Sequence, residues 1–113
     1  NSFMEFKKLI DRAVFIRKKY LELEIMKYGR KWTGEEMAIG FVGDVGDLMK
    51  MITAKNGVRD IDQVDEKLAH ELSDCLWSII ILAQSYNIDL ERVFMRTMND
   101  IEKHIAEKIQ KEK

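Results

Sequence analysis

Residues 75–83 read Cys-Leu-Trp-Ser-Ile-Ile-Ile-Leu-Ala and contain the longest apolar run in the chain. It is apolar nearly all the way round a helix, yet it falls well short of the ~20 residues that span a bilayer. Such a helix must be covered on every side, which four helices of one small chain do with difficulty. We therefore predict an all-α, antiparallel four-helix bundle that is completed by homo-oligomerisation, as a dimer or a tetramer. The alternative is a central helix wrapped by its three neighbours in the same chain.

The first helix is predicted from capping residues and from the glycine after it, because the chain contains no proline to mark a break. Ser2 is the predicted N-cap, and Glu5 follows three residues later as in a capping box. The helix then runs to about Tyr28, and Gly29 supplies the left-handed residue that ends it.

The other three helices follow the same logic. The second is predicted over residues 33–55, with Thr33 as its N-cap and Asn56-Gly57 after it. The third covers about residues 64–86, and Asn87 suits the left-handed turn after it. The fourth begins after its N-cap, Asp89, and ends in a charged tail. Because the connections are short, successive helices are expected to be antiparallel. We expect residues 1–113 to form a single domain.

Composition and charge exclude several classes of protein. Nineteen Lys and Arg residues against twenty Asp and Glu give a net charge of −1, without the positive field on which binding to nucleic acid or an anionic membrane depends. We expect no nucleic-acid partner and no membrane partner, and we expect neither a membrane span nor a signal peptide. A lone Cys75 forms no internal disulfide, so we expect a cytoplasmic protein. One Cys and two His residues also exclude a tetrahedral zinc site.

Two pairs of acidic residues carry the candidate chemistry: Asp44 with Asp47 in the second helix, and Glu71 with Asp74 in the third. Each pair is spaced i, i+3, so both members share one side of a helix, and that side is otherwise apolar. Burying such carboxylates unpaired costs several kcal/mol each, unless they share a proton, pair with a basic residue or bind a divalent cation. Ligands that are all oxygen favour a hard ion, Mg²⁺ or Mn²⁺ in its place. The alternative is a solvated helix face.

Three glycines recur every third residue beside the first acidic pair, at positions 40, 43 and 46. Each costs a helix roughly 1 kcal/mol relative to alanine. The missing side chains would let either a substrate or another helix approach the backbone. The sequence leaves both readings open.

Three stretches together resemble a known family. They are Trp32-Thr33-Gly34-Glu35-Glu36, then Gly-Phe-Val-Gly-Asp-Val-Gly-Asp-Leu at residues 40–48, and His-Glu-Leu-Ser-Asp-Cys-Leu-Trp at residues 70–77. In this order they resemble the MazG-like branch of the all-α NTP pyrophosphatases. The resemblance continues through Asn-Ile-Asp-Leu-Glu at residues 87–91, and so covers most of the chain after the first helix.

The resemblance implies a reaction and its residues. The family signature, E-x-x-E followed by E-x-x-D, corresponds here to Asp44/Asp47 and Glu71/Asp74. Family members use Mg²⁺ to hydrolyse nucleoside triphosphates between the α and β phosphates, which releases a monophosphate and pyrophosphate. This implies that Asp44, Asp47 and Asp74 are metal ligands, and that Glu71 is either a ligand or the base that receives the proton of water. Aspartates replace the first two glutamates, which shortens their reach by about 1.3–1.5 Å each.

Candidate substrate-binding residues lie around these acids. Lys50 and Lys67 are within one helical turn of an acid, where they would contact phosphate or simply pair with that acid. Lys103 in the fourth helix is a third candidate, and Trp32 is a candidate for stacking on a base. The implied role is hydrolysis of standard or damaged nucleoside triphosphates.

Three other interpretations compete with this one. A di-iron bundle needs Glu-x-x-His on two helices, and neither His70 nor His104 has an acid three residues before it. A non-catalytic nucleotide-binding or oligomerisation module would keep the fold without turnover. A plain structural bundle predicts that Asp44→Asn or Asp74→Asn is neutral or stabilising, because it relieves a cluster of like charges.

Overall fold

The computed structural model describes residues 5–113 and contains four α-helices with no strand among those residues. The helices are α1 (Phe6–Tyr28), α2 (Gly34–Lys55), α3 (Val64–Ser85) and α4 (Leu90–Glu112). The predicted all-α class is therefore confirmed.

The start of α1 differs from the prediction, whereas its end agrees. Ser2 lies outside the described residues. Glu5 precedes α1 in an extended conformation (φ −65°, ψ 142°) and its side chain caps nothing, so its predicted place inside the first helical turn is wrong. Gly29 ends α1 with φ 74° and donates its N–H to the carbonyl of Ile25 at 2.9 Å. This left-handed backbone favours glycine because a Cβ would be strained there.

The predicted cap of α2 is confirmed in full. The Thr33 hydroxyl accepts a hydrogen bond from the Glu36 N–H at 3.2 Å, and the Glu36 carboxylate accepts one from the Thr33 N–H at 3.0 Å. Arg30 in the α1–α2 loop makes a bidentate pair with the same carboxylate, at 2.7 and 3.0 Å. The cap therefore fixes the loop that leads into α2.

The ends of α3 and the start of α4 are set by local backbone conformations. Gln63 precedes α3 with φ 55°, and no side-chain hydrogen bond caps that helix. Asn87 follows α3 with φ 58°, the left-handed residue predicted there. The Asp89 side chain caps α4 by accepting from the Arg92 N–H at 3.2 Å, also as predicted.

The pairing of α2 with α3 is the most extensive in the chain, and the two helices are antiparallel. Lys55 at the end of α2 pairs with Asp65 at the start of α3. Further along, the Ser78 hydroxyl of α3 donates to the Asp44 carboxylate of α2 at 2.9 Å. These two contacts fix the register of the pair over most of its length.

The helix α1 packs on the second half of α3, and aromatic side chains take part in this contact. The Trp77 Nε1–H donates to the Ala13 carbonyl at 3.1 Å, and its ring lies 5.7 Å from the ring of Tyr20. Ala13, Ile80 and Ile81 form the buried core of this contact. Trp77 therefore has the core position that its place in the apolar stretch indicates.

The helix α4 contributes little to the packing of this chain. None of its residues is buried, although it carries an apolar stripe whose members are 38–54% exposed: Phe94, Met98, Ile101, Ile105 and Ile109. The radius of gyration is 18.0 Å, whereas a compact chain of this length has about 13 Å. No helix in the described residues is both long and apolar enough to cross a bilayer.

Candidate active site

The antiparallel packing of α2 and α3 brings Asp44 of the first acidic pair against the helix that carries the second pair. The bond from Ser78 to Asp44 ties one end of the α2 pair to α3. The register set by this bond and by the Lys55–Asp65 pair places Asp47 at the level of Asp74. Asp44 therefore lies where α2 meets α3, whereas Asp47 is exposed and its ion-pair partner is Lys50 on the same helix.

The buried thiol of Cys75 lies within the electrostatic influence of three of these acids. Burial raises the pKa of Cys75, and the negative charges of Asp44, Glu71 and Asp74 raise it further. These carboxylates come from two helices, yet all three are close enough to act on one sulfur atom. The site is thus a gathering of negative charge around the α2–α3 contact, which a hard divalent cation would neutralise.

A histidine lies in the α3 half of this cluster. His70 Nε2 is 3.2 Å from Asp74 Oδ2, and one ligand atom each from His70, Glu71 and Asp74 lie within 4.8 Å of one another. The two acids are half-buried, whereas His70 is exposed. These donor atoms are close enough to share one ion, and the donor set fits a divalent metal.

The candidate phosphate-binding lysines occupy different surroundings. Lys50 lies 3.8 Å from Asp47, and both side chains are more than half exposed. Lys67 is exposed on α3, one turn before Glu71. Lys103 belongs to α4, which makes few contacts with the rest of the chain, so a single chain does not bring it to the acids.

A cavity of about 310 Å³ opens beside Asp44, between α1, α2 and α3. Its walls are largely aromatic or apolar, and they include Trp32, the candidate for stacking on a base. Ser78 lies on the wall next to Asp44. The other aromatic lining residues are Tyr20, Tyr28 and Trp77. This volume and lining are typical of a small-molecule site.

A buried ion pair forms part of the same wall. Glu24 is the only charged residue classed as buried in the described part of the chain. Both of its carboxylate oxygens accept hydrogen bonds from the Arg17 guanidinium. Its Oε1 also accepts from the Trp32 N–H at 2.8 Å. The Arg17 hydrogen bond lowers the pKa of Glu24 despite its burial, so this residue carries a negative charge at neutral pH.

The three glycines of α2 face open space. A Cβ built at Gly40, Gly43 or Gly46 would meet no atom within 4 Å. No close contact within this chain therefore requires a glycine at these positions. Gly40 lines the cavity. The glycine face is therefore open to a substrate or to a second molecule, the two readings that the sequence leaves open.

Sequence reasoning missed Ser78, Arg17, Glu24 and the proximity of His70 to the acids. The i, i+4 spacing of His70 and Asp74 was a visible signal for that contact. The i, i+7 spacing of Arg17 and Glu24 put them on one face of α1, but nothing in the sequence indicates that this face meets Trp32.

Comparison with known proteins gives one match. The family model described as the MazG nucleotide pyrophosphohydrolase domain matches residues 33–111. Neither the curated proteins nor the solved structures contain a match to this chain.

Proposed function

The chain belongs to the MazG nucleotide pyrophosphohydrolase family, and from this premise we propose that it hydrolyses (deoxy)nucleoside triphosphates to the monophosphate and pyrophosphate. The observation that carries the proposal is that Glu71 and Asp74 of α3 offer ligand atoms within 4.8 Å of each other, while Asp44 of α2 is hydrogen-bonded to Ser78 on the same α3 helix. These acids are the signature residues of the resemblance, and they come together from two helices.

We propose that Mg²⁺, or Mn²⁺ in its place, is held by Asp44, Asp47 and Asp74. The family generally depends on a divalent metal, and Asp74 belongs to the group of His70, Glu71 and Asp74 whose donor atoms lie close together. A bound divalent ion would neutralise triphosphate charge and make a nearby water more acidic. Ser78 holds the Asp44 carboxylate in one orientation. Glu71 either completes the ligand set or receives the proton of the attacking water.

The cavity beside Asp44 is proposed to take the nucleoside. Its aromatic wall offers stacking surface to a base, and Trp32 lies in that wall. Because α1 residues such as Tyr20 line the same cavity, we propose that α1 belongs to the functional unit. The single domain would then cover residues 1–113 and extend beyond the matched range.

We also propose a homo-oligomer, a dimer or a tetramer, in which Lys103 of α4 can approach an active site. The accessible surface of the chain is 9292 Å², whereas a compact monomer of this mass exposes about 6,450 Å². The excess is large enough for a stable interface. A cytoplasmic location, proposed from the lone Cys75, agrees with a nucleotide substrate.

The test is a panel of standard and modified nucleoside triphosphates incubated with the protein and Mg²⁺ or Mn²⁺, with pyrophosphate and orthophosphate measured separately. We expect pyrophosphate without orthophosphate, and loss of the reaction when the metal is chelated. Glu71→Gln should lower kcat by at least ~100-fold, because it removes either a base or a ligand. Glu66→Gln, which alters an exposed acid in the first turn of α3, should leave kcat unchanged.

Two results would contradict the proposal. Absence of pyrophosphate release from every nucleotide, with a melting temperature that still rises with Mg²⁺, would identify a non-catalytic binding module. A melting temperature that rises in Asp74→Asn, with no response to metal, would identify a structural bundle.

A further inference from the structure

The buried Arg17–Glu24 pair is not among the residues proposed above to hold metal or phosphate, yet it lies in the wall of the cavity beside Asp44. The two side chains are only 15% and 7% exposed. Desolvating two charges is costly, and a buried pair is often no more stable than apolar residues of the same volume. This raises the question of what the charged groups do in the cavity.

Glu24 is almost fully occupied by contacts within the protein. Its Oε1 accepts from Arg17 Nη2 at 3.0 Å and from the Trp32 N–H at 2.8 Å, and its Oε2 accepts from Arg17 Nη1. The carboxylate therefore fixes the Arg17 guanidinium and also fixes the backbone of Trp32. Glu24 is a positioning residue for both of these groups.

Arg17 keeps hydrogen-bond donors after this pairing. A guanidinium has five N–H groups in a rigid plane, and the pair with Glu24 uses one hydrogen from each terminal nitrogen. Three N–H groups remain, one on Nε and one on each terminal nitrogen, and those of Nε and Nη2 lie parallel along one side of the guanidinium plane. Such a fork matches two adjacent acceptor atoms. Arg17 lines the cavity, and its side chain keeps 15% of its surface exposed.

We propose that Arg17 is the base-reading residue of this site, held by Glu24 so that its second fork contacts the edge of a base stacked against Trp32. Two adjacent acceptors occur on cytosine (O2 and N3) and on guanine (O6 and N7). On adenine and uracil each exposed edge pairs an acceptor with a donor. The site therefore prefers cytosine or guanine nucleotides. This inference rests on the proposed function, because that function places the nucleoside in this cavity.

The test measures equilibrium binding of CMP, GMP, AMP and UMP by calorimetry, which requires no turnover. We expect at least one of CMP and GMP to bind about tenfold more tightly than AMP and UMP, the effect of one charge-assisted hydrogen bond. Arg17→Lys keeps the charge but lacks the fork, and Arg17→Met lacks both. Both variants should lose the preference, whereas ribose 5-phosphate, which has no base, should bind them as it binds the wild type.

Lys7→Met is the matched control, because Lys7 forms an exposed pair with Asp11 on the same helix. It should keep the preference. A purely structural Arg17–Glu24 pair predicts equal weakening of all four nucleotides in the Arg17 variants, and that result would overturn the inference.

The wild-type comparison tests the inference even where an Arg17 variant fails to fold. Equal affinity for the four monophosphates, or no binding of any, would overturn it. Failure of the proposed function is a separate result, since a protein that shows the preference but releases no pyrophosphate would contradict the hydrolysis alone.

Discussion

At the scale of single residues, the acids of the site depend on neighbours that have no charge of their own. Asp44 is held by the buried hydroxyl of Ser78, which donates across the α2–α3 contact at 2.9 Å. A carboxylate that is fixed in this way loses less conformational freedom when it binds an ion. Loss of the Ser78 hydroxyl should therefore weaken metal binding while the chain stays folded.

Ser78→Ala should raise the Mg²⁺ concentration for half-maximal activity by roughly 10–100-fold, the usual effect of removing a partner of a metal ligand. The melting temperature should change little, because the substitution removes one hydroxyl. Titration of activity with Mg²⁺, and calorimetry with Mn²⁺, measure the effect.

Ser73→Ala serves as the control, since Ser73 is an exposed serine of the same helix. It should leave the metal dependence unchanged. An unchanged metal dependence in Ser78→Ala as well would remove Asp44 from the ligand set.

At the scale of helices, the start of α2 combines a capping box with an ion pair. Hydrogen bonds from Arg30 and from the Thr33 N–H lower the pKa of Glu36 from 4.5 to about 2. The Glu36 carboxylate is thus committed to the cap. It holds the loop that contains Trp32.

The depressed pKa of Glu36 predicts an acid-sensitive start of α2. Because the pKa is lower in the folded chain, the stabilisation is present above about pH 4.5 and is lost as the pH falls toward 2. Chemical denaturation between pH 2 and pH 7 should show this fall in the free energy of unfolding for the wild type. Glu36→Gln should be less stable at pH 7 and should lose less stability on acidification.

The neighbouring acid provides the comparison for this experiment. Glu35 lies in the same first turn of α2, and Glu35→Gln should keep the wild-type pH dependence. Equal pH dependence in wild type and Glu36→Gln would show that other carboxylates, such as Glu24, dominate acid unfolding.

At the scale of the whole molecule, the uncovered surface is the leading feature. Besides the apolar stripe of α4, the helix α3 exposes Leu72, Leu76 and Ile79. A monomeric protein rarely exposes apolar patches of this extent. The prediction that residues 75–83 must be covered on every side is met only in part by α1 and α2.

Ile101→Asp should convert the proposed oligomer into a monomer, because it places a charge in the middle of the α4 stripe. We expect at least a ~100-fold rise in the concentration needed for assembly. Light scattering coupled to size-exclusion chromatography measures the molecular mass across a dilution series.

Asn99→Asp adds the same charge on the opposite side of α4, and it should leave the mass of the oligomer unchanged. A wild-type protein that is monomeric at micromolar concentration would contradict the proposed assembly.

The sequence by itself determined the features that depend on short separations along the chain. The α2 capping box, the left-handed Gly29 and Asn87, and the Asp89 cap involve residues a few positions apart, so composition and spacing were enough to predict them. The i, i+3 acidic pairs belong to the same class, because helix geometry alone puts both members on one side. The apolar stretch likewise indicates that other helices must cover it, but it does not indicate which helices these are.

The tertiary structure decided which faces meet. The Ser78–Asp44 bond joins residues 34 positions apart, and the Trp77–Ala13 bond joins residues 64 positions apart. The rotation and register of packed helices come from how their side chains fit together, which no local pattern encodes. For this reason the cavity, with the Arg17–Glu24 pair in its wall, exists only where α1, α2 and α3 pack together.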